Sequence, residues 1–228
     1  MPYYIIDKKK DNILTIGLIG DSWVTKRKLD SILHEELLRR GYFSKILSSG
    51  QSGAKSKSVY YNLFKDNNKE YSSKFIIENN PDYCIVIAGI NDAVGQMGSH
   101  YYSHHLRKII KTLLNYNIKP VIVSLPNVGV TEILKEMKLL KKYRNILSAF
   151  INNKGVIDNI ESYRKKLNQK LKLENLNDQI ILIDFDNACE SYSNSSSLYY
   201  NPLHLTPEGN EKLAHYIADE LIKELEKN

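Results

Sequence analysis

Five stretches of the chain are apolar almost without interruption: residues 13–19, 42–47, 83–88, 120–125 and 180–185. None alternates with period two, so each reads as a strand buried on both faces, as in parallel sheets. Helical patterns separate them. Leu29, Ile32, Leu33 and Leu37 recur at three- and four-residue spacing until Gly41 stops the run. Residues 101–116 show a second such pattern. A last helix opens at Thr206-Pro207-Glu208-Gly209, with Thr206 as N-cap and Pro207 at the first helical position, and runs to about residue 226. Strands alternating with helices predict a parallel sheet covered on both faces, with right-handed crossovers. Two further helical patterns, 131–150 and 156–173, are split by Asn152-Asn153-Lys154-Gly155 and fill the long gap before the fifth strand. They read as a helical insert, about 131–175, beside the site within one domain spanning 1–228. The serine-rich tract 191–197 reads as a loop.

Composition narrows the class. A 228-residue chain can hold one sizeable core, and 42% hydrophobic with 25% charged residues is the balance of a soluble globular protein. No apolar run approaches the roughly 20 residues of a membrane-spanning helix. In residues 1–10 the apolar segment precedes the basic one, the reverse of a signal peptide, so a cytoplasmic location is expected. Two cysteines make no disulfide framework. Cys84 reads as a small core hydrophobe, and Cys189 has no assignment. The net charge is +6, but the lysines are spread along the chain. The densest basic runs, 138–144 and 164–166, lie on helical patterns and read as solvated faces, with neither nucleic acid nor membrane as partner.

Four polar segments sit at the ends of these elements. Gly20-Asp21-Ser22 follows the first strand, Ser48-Ser49-Gly50-Gln51-Ser52-Gly53 the second, and Gly89-Ile90-Asn91-Asp92 the third. Asn201-Pro202-Leu203-His204 leads into the last helix. All four fall at the carboxyl edge of one sheet, where open α/β folds bind ligands. A serine on such a turn lies close to the first amides of a helix and can act as a nucleophile.

This set, in this order, resembles the SGNH (GDSL-type) hydrolase family over nearly the whole chain, the helical insert apart. The resemblance implies Ser22 as nucleophile and His204 as its base. It implies an oxyanion hole built from the N–H groups of Ser22 and Gly53 and the side chain of Asn91. Gly53 fits better than Gly50, because the family's glycine lies near the end of that loop. There is one departure: the family carries aspartate three residues before the histidine, and this chain has Asn201. An asparagine oxygen can still accept from the imidazole, but the negative charge is lost. In a well-studied serine protease the equivalent change costs about four decades of turnover. Three readings stay open: a Ser–His dyad with an asparagine or backbone acceptor, a substitute carboxylate at Asp184 or Asp186, or an impaired site.

Other polar residues have plainer readings. Asp21 and Asp92 are expected to hold turn amides. His100, His104 and His105 have near-helical spacing without a companion carboxylate or cysteine cluster, so no metal site is expected. His34 and His215 read as surface residues. Trp23 either shapes the pocket or packs under the turn. Paired tyrosines, such as Tyr60-Tyr61, Tyr101-Tyr102 and Tyr199-Tyr200, read as packing rather than as a sugar platform. The resulting expectation is a three-layer α/β/α sandwich with a flavodoxin-like five-stranded sheet. It would be a serine esterase, without cofactor, acting on a small acyl ester such as the O-acetyl group of a saccharide. An acyltransferase using the same site and a non-catalytic binding protein are the rivals. A nucleotide-binding fold is disfavoured, because the first loop lacks both phosphate-cradling patterns.

Overall fold

The computed structural model describes residues 13–25 and 28–227; the amino-terminal segment read above for targeting lies outside them. In chain order the elements are β1 (Leu14–Gly20), α1 (Ser22–Thr25), α2 (Leu29–Arg39), β2 (Ser44–Gly50), α3 (Ser56–Asn62), α4 (Lys74–Glu78), β3 (Tyr83–Ile87), α5 (Ile90–Val94), α6 (Ser99–Asn115), β4 (Lys119–Val123), α7 (Val130–Glu136), α8 (Leu139–Asn153), α9 (Ile160–Leu173), β5 (Ile181–Ile183), α10 (Phe185–Ala188), β6 (Tyr199–Asn201), β7 (His204–Leu205) and α11 (Pro207–Leu225). A 3-10 turn, Asn177–Gln179, precedes β5.

The strands β1 to β5 form one all-parallel sheet in the order β2-β1-β3-β4-β5, the flavodoxin-like order expected. The apolar runs of β1, β3 and β4 are continuous because both faces are covered, whereas the edge strands fall short of that expectation: β2 buries only Ser44, and β5 leaves Leu182 exposed. α2 packs with α11 on one side, and α3, α6 and α9 pack together on the other. Ile16, Leu18, Ile85, Val121 and Ile183 lie at the centre of the core. The connection after β1 runs to β2 on one side, and the connection after β3 runs to β4 on the other. That opens a crevice at the carboxyl end of β1, where Ser22 stands.

The ends of several elements depart from expectation. β2 begins two residues late, because Phe43 is exposed while Ser44 is buried. β5 is cut to three residues, because the apolar Phe185 belongs to the short helix α10. The pattern 131–150 is two helices, since Met137 adopts an extended conformation between them. α7 buries Val130 and Leu134, while α8 turns Asn145 and Ala149 inward, so the two need different directions. The final motif forms an antiparallel hairpin, β6–β7, in which Asn201 pairs with His204.

Candidate active site

The turn after β1 is tight for a steric reason. A Cβ on Gly20 would run into the carbonyl of Ile87, and one on Gly50 would lie 2.9 Å from the carbonyl of Asp21. The Asp21 N–H donates to Ile87 O at 3.2 Å, and the Gln51 N–H donates to Gly20 O at 3.0 Å. The loops after β1, β2 and β3 are thereby stitched together at one edge. Ser22 opens α1 at this point and is largely buried.

His204 comes from the other end of the chain. Its Nε2 lies 3.0 Å from Ser22 Oγ, and its Nδ1 lies 3.0 Å from Asn201 Oδ1. The same Oδ1 accepts the backbone N–H groups of Leu203 and His204, each at 3.0 Å. Those two donors decide which way the amide points, because turning it over would aim NH2 at two N–H groups. A carbonyl oxygen can only accept, so Nδ1 carries the imidazole hydrogen and Nε2 is left to receive the serine proton. Asp184 and Asp186 turn elsewhere. Asp186 pairs with Arg164 at 3.0 Å and receives the Ser124 hydroxyl, and Asp184 accepts from Asn187. The substitute-carboxylate reading therefore gives way to Asn201 itself.

The hairpin is fixed to the serine turn by Trp23, whose buried indole donates from Nε1 to Leu203 O at 2.8 Å and meets Phe185 edge-on. Trp23 thus does more than pack under the turn. The Gly129 N–H adds a bond to Pro202 O at 2.7 Å from the loop before α7. Tyr200, half-exposed, stacks on the His204 ring with centroids 5.7 Å apart.

Gly53 has φ +77, and a Cβ there would meet open space. Among the described residues, the N–H groups of Ser22 and Gly53 donate to no protein acceptor. Asn91 is different: its Nδ2 already donates to Asp21 Oδ2 at 3.1 Å and to Ala54 O at 3.0 Å. Gly89, at φ +123, starts this helix against Tyr102.

Two buried carboxylates lie behind these groups. Asp21 accepts the Trp23 N–H at 3.0 Å as well as Asn91, and burial pushes its pKa up to about 7 against those bonds, with Asp92 adding to the rise. Asp92 accepts the Ser56 N–H at 2.8 Å and its hydroxyl at 2.6 Å, and burial raises it to about 6. Both hold turn amides, as expected.

Among the described residues, no three His, Cys, Asp or Glu side chains come together as a metal site. His105 is buried, with Nδ1 2.8 Å from the Tyr101 carbonyl. His34 bonds to Ser44 Oγ, and His215 joins Glu36 and Asp219 on the outside of α11. Cys84 is buried in β3, and Cys189 is buried against the Tyr199 hydroxyl. Among the described residues, no helix is long and apolar enough to cross a membrane.

Comparison with known proteins identifies the family and supports the fold. A model of the GDSL-like lipase/acylhydrolase family matches residues 18–212. The fold is similar to that of a lipase/acylhydrolase from Enterococcus faecalis, at 17% identity and a TM-score of 0.66, covering 92% of this chain and 95% of that one. It is also similar to an acetyl xylan esterase, AlAXEase, at 16% identity and a TM-score of 0.63, covering 92% and 98%. A GDSL-like lipase from Bacteroides thetaiotaomicron matches at 13% identity and a TM-score of 0.62, covering 92% and 88%. No curated protein matches in sequence. The chain belongs to the GDSL-like lipase/acylhydrolase family and is an esterase of that family.

Proposed function

We propose that this member of the GDSL-like lipase/acylhydrolase family hydrolyses a small acyl ester, such as the O-acetyl group of a saccharide, through an acyl-serine intermediate. The observation that carries the reading is the unbroken line Ser22 Oγ–His204–Asn201 at 3.0 Å per step, in the tautomer the reaction requires. Ser22 Oγ attacks the acyl carbonyl as its proton passes to His204 Nε2. The new oxyanion takes hydrogen bonds from the Ser22 and Gly53 amides and from Asn91. Asn91 then exchanges its bond to Ala54 O for one to the oxyanion. Each such donor is worth about 3 kcal/mol of barrier. Collapse of the tetrahedral intermediate expels the alkoxide, which takes the proton from Nε2. Water repeats the attack on the acyl-serine and releases the acid.

The small acyl group and saccharide alcohol rest on two supports. The fold resembles an acetyl xylan esterase, and the half-exposed ring of Tyr200 gives a flat surface beside His204 on which a sugar can stack.

Hydrolysis of p-nitrophenyl acetate, of longer p-nitrophenyl esters and of acetylated xylan by the purified chain tests this. Ser22→Ala is expected to lose turnover by at least about 10³-fold, and rates are expected to fall as the acyl chain lengthens. Turnover that survives Ser22→Ala would overturn the acyl-serine mechanism. A preference for long chains would overturn the small-acyl assignment.

A further inference from the structure

α8 is amphipathic the wrong way round. A surface helix normally turns its apolar stripe to the core, and α6 does so with Leu106, Ile109, Ile110 and Leu113 buried. α8 instead lays its polar side on the protein. Asn145 donates to Val94 O at 3.0 Å, Ser148 Oγ and Asn152 donate to Gln96 O at 2.8 and 3.1 Å, and Asn153 donates to Gln96 Oε1 at 3.0 Å. Leu139, Leu140, Tyr143, Leu147, Phe150 and Ile151 face outward, from 62% exposed at Leu147 to 89% at Leu140. At helical pitch these six span an arc of about 120°. A patch of this kind on a surface marks an interaction site.

Charge says what kind of surface it meets. Residues 137–155 contain Lys138, Lys141, Lys142, Arg144 and Lys154 and no acidic residue. Lys142 and Arg144 border the apolar arc on its two sides at helical pitch. Solvation accounts for these cations but leaves the leucines between them unexplained. An apolar face bordered by cations, on a helix lying flat, is the pattern that seats in the headgroup region of an anionic bilayer. The helix also lies against the carboxyl end of α5, whose first turn carries Asn91. It grips Gln96, which follows α5.

We propose that α8 docks the protein on an anionic lipid surface. This goes beyond the esterase reading and stands whether or not that reading holds, because its readout is binding. The full chain is mixed with vesicles of phosphatidylcholine alone or with phosphatidylglycerol added, and co-flotation is measured. Binding to the anionic vesicles, weakened by salt, is expected. Leu140→Asp with Ile151→Asp should abolish it. Lys141→Gln, Lys142→Gln and Arg144→Gln together should cut it by roughly 100-fold, at about fivefold per cation. Melting temperature and p-nitrophenyl acetate turnover should stay unchanged in both variants. No flotation with the anionic vesicles would overturn the proposal, as would flotation that survives the Leu140/Ile151 change. A dimer in sedimentation equilibrium that Leu147→Asp dissociates would overturn it too, giving the face to a second copy of the chain.

Discussion

Asn201 differs from the family's aspartate by one heavy atom, and the structure separates what that atom costs from what it does not. In the protease precedent, asparagine removes both the charge and the correct tautomer. Here the Leu203 and His204 amides hold the side-chain oxygen toward Nδ1, so the tautomer survives and only the charge facing the imidazolium is missing. Asn201→Asp puts a second acceptor in a site where every bonded contact of the side-chain oxygen is already with a donor. It should raise kcat by roughly 10- to 10³-fold, short of the four decades of the precedent, with KM little changed. An unchanged or lower kcat on p-nitrophenyl acetate would mean that the neutral partner is the working state. The buried acids make a second prediction. The folded pKa of Asp21 is raised to about 7 and that of Asp92 to about 6, so the native state holds these protons more tightly than the unfolded chain. Their contribution to stability is complete below about pH 4 and is lost as pH rises through 6 and 7. Burial of His105 lowers its pKa and works the other way, so the comparison needs a variant. Urea unfolding at pH 5 and pH 8 should show a fall in stability for the native chain and a smaller fall for Asp21→Asn. An equal fall in both would remove Asp21 as the cause.

At the scale of elements, the site depends on pieces too short to stand alone. α1 has four residues, and β6–β7 is a two-stranded hairpin of three and two residues. Trp23 joins them through its bond to Leu203 O. Trp23→Phe keeps a ring against Phe185 but removes that bond. About 1 kcal/mol of stability should go with it, and kcat should fall roughly tenfold as the Ser22–His204 alignment loosens. A lower melting temperature with kcat unchanged would leave Trp23 a purely structural role. This join also marks where the sequence stops being readable. β1, β3 and β4 could be read because burial on both faces makes them continuously apolar. Ser22 and Asn91 could be read because each follows such a strand, and His204 because it stands just before the capped start of α11. The hairpin gives no strand pattern, with Pro202 in its turn. The break at Met137 is hidden because Leu139 and Leu140 continue the helical spacing although they face outward. The contact of Asn91 with Ala54 is equally invisible, since it joins backbone to side chain across two loops.

Across the whole molecule, the residue that gathers the most side-chain bonds between α5 and the insert, Gln96, has no sequence signature. Gln96 is buried at φ +54 in the turn between α5 and α6. Its Nε2 donates to Ala93 O and Ile157 O, each at 2.9 Å, and its Oε1 accepts from Asn153 and Asn159, each at 3.0 Å. Its partners at 153, 157 and 159 lie about sixty residues away, so no local pattern could have announced it. Gln96→Ala would keep the backbone carbonyl that receives Ser148 and Asn152, but would strip partners from buried groups on both sides of the junction. Leaving such groups unpaired costs on the order of 1–3 kcal/mol each before any relaxation. That cost should fall where the hub connects. Amide exchange should quicken in α8 and in residues 154–159, while β1 and β3, which share no bond with Gln96, keep their protection. Because α5 carries Asn91 and shares Ala93 with this hub, kcat should fall as well, by less than for Ser22→Ala. Faster exchange spread evenly over sheet and insert would instead mean that Gln96 supports the fold as a whole, and the insert could not then be treated as a unit hinged on this turn.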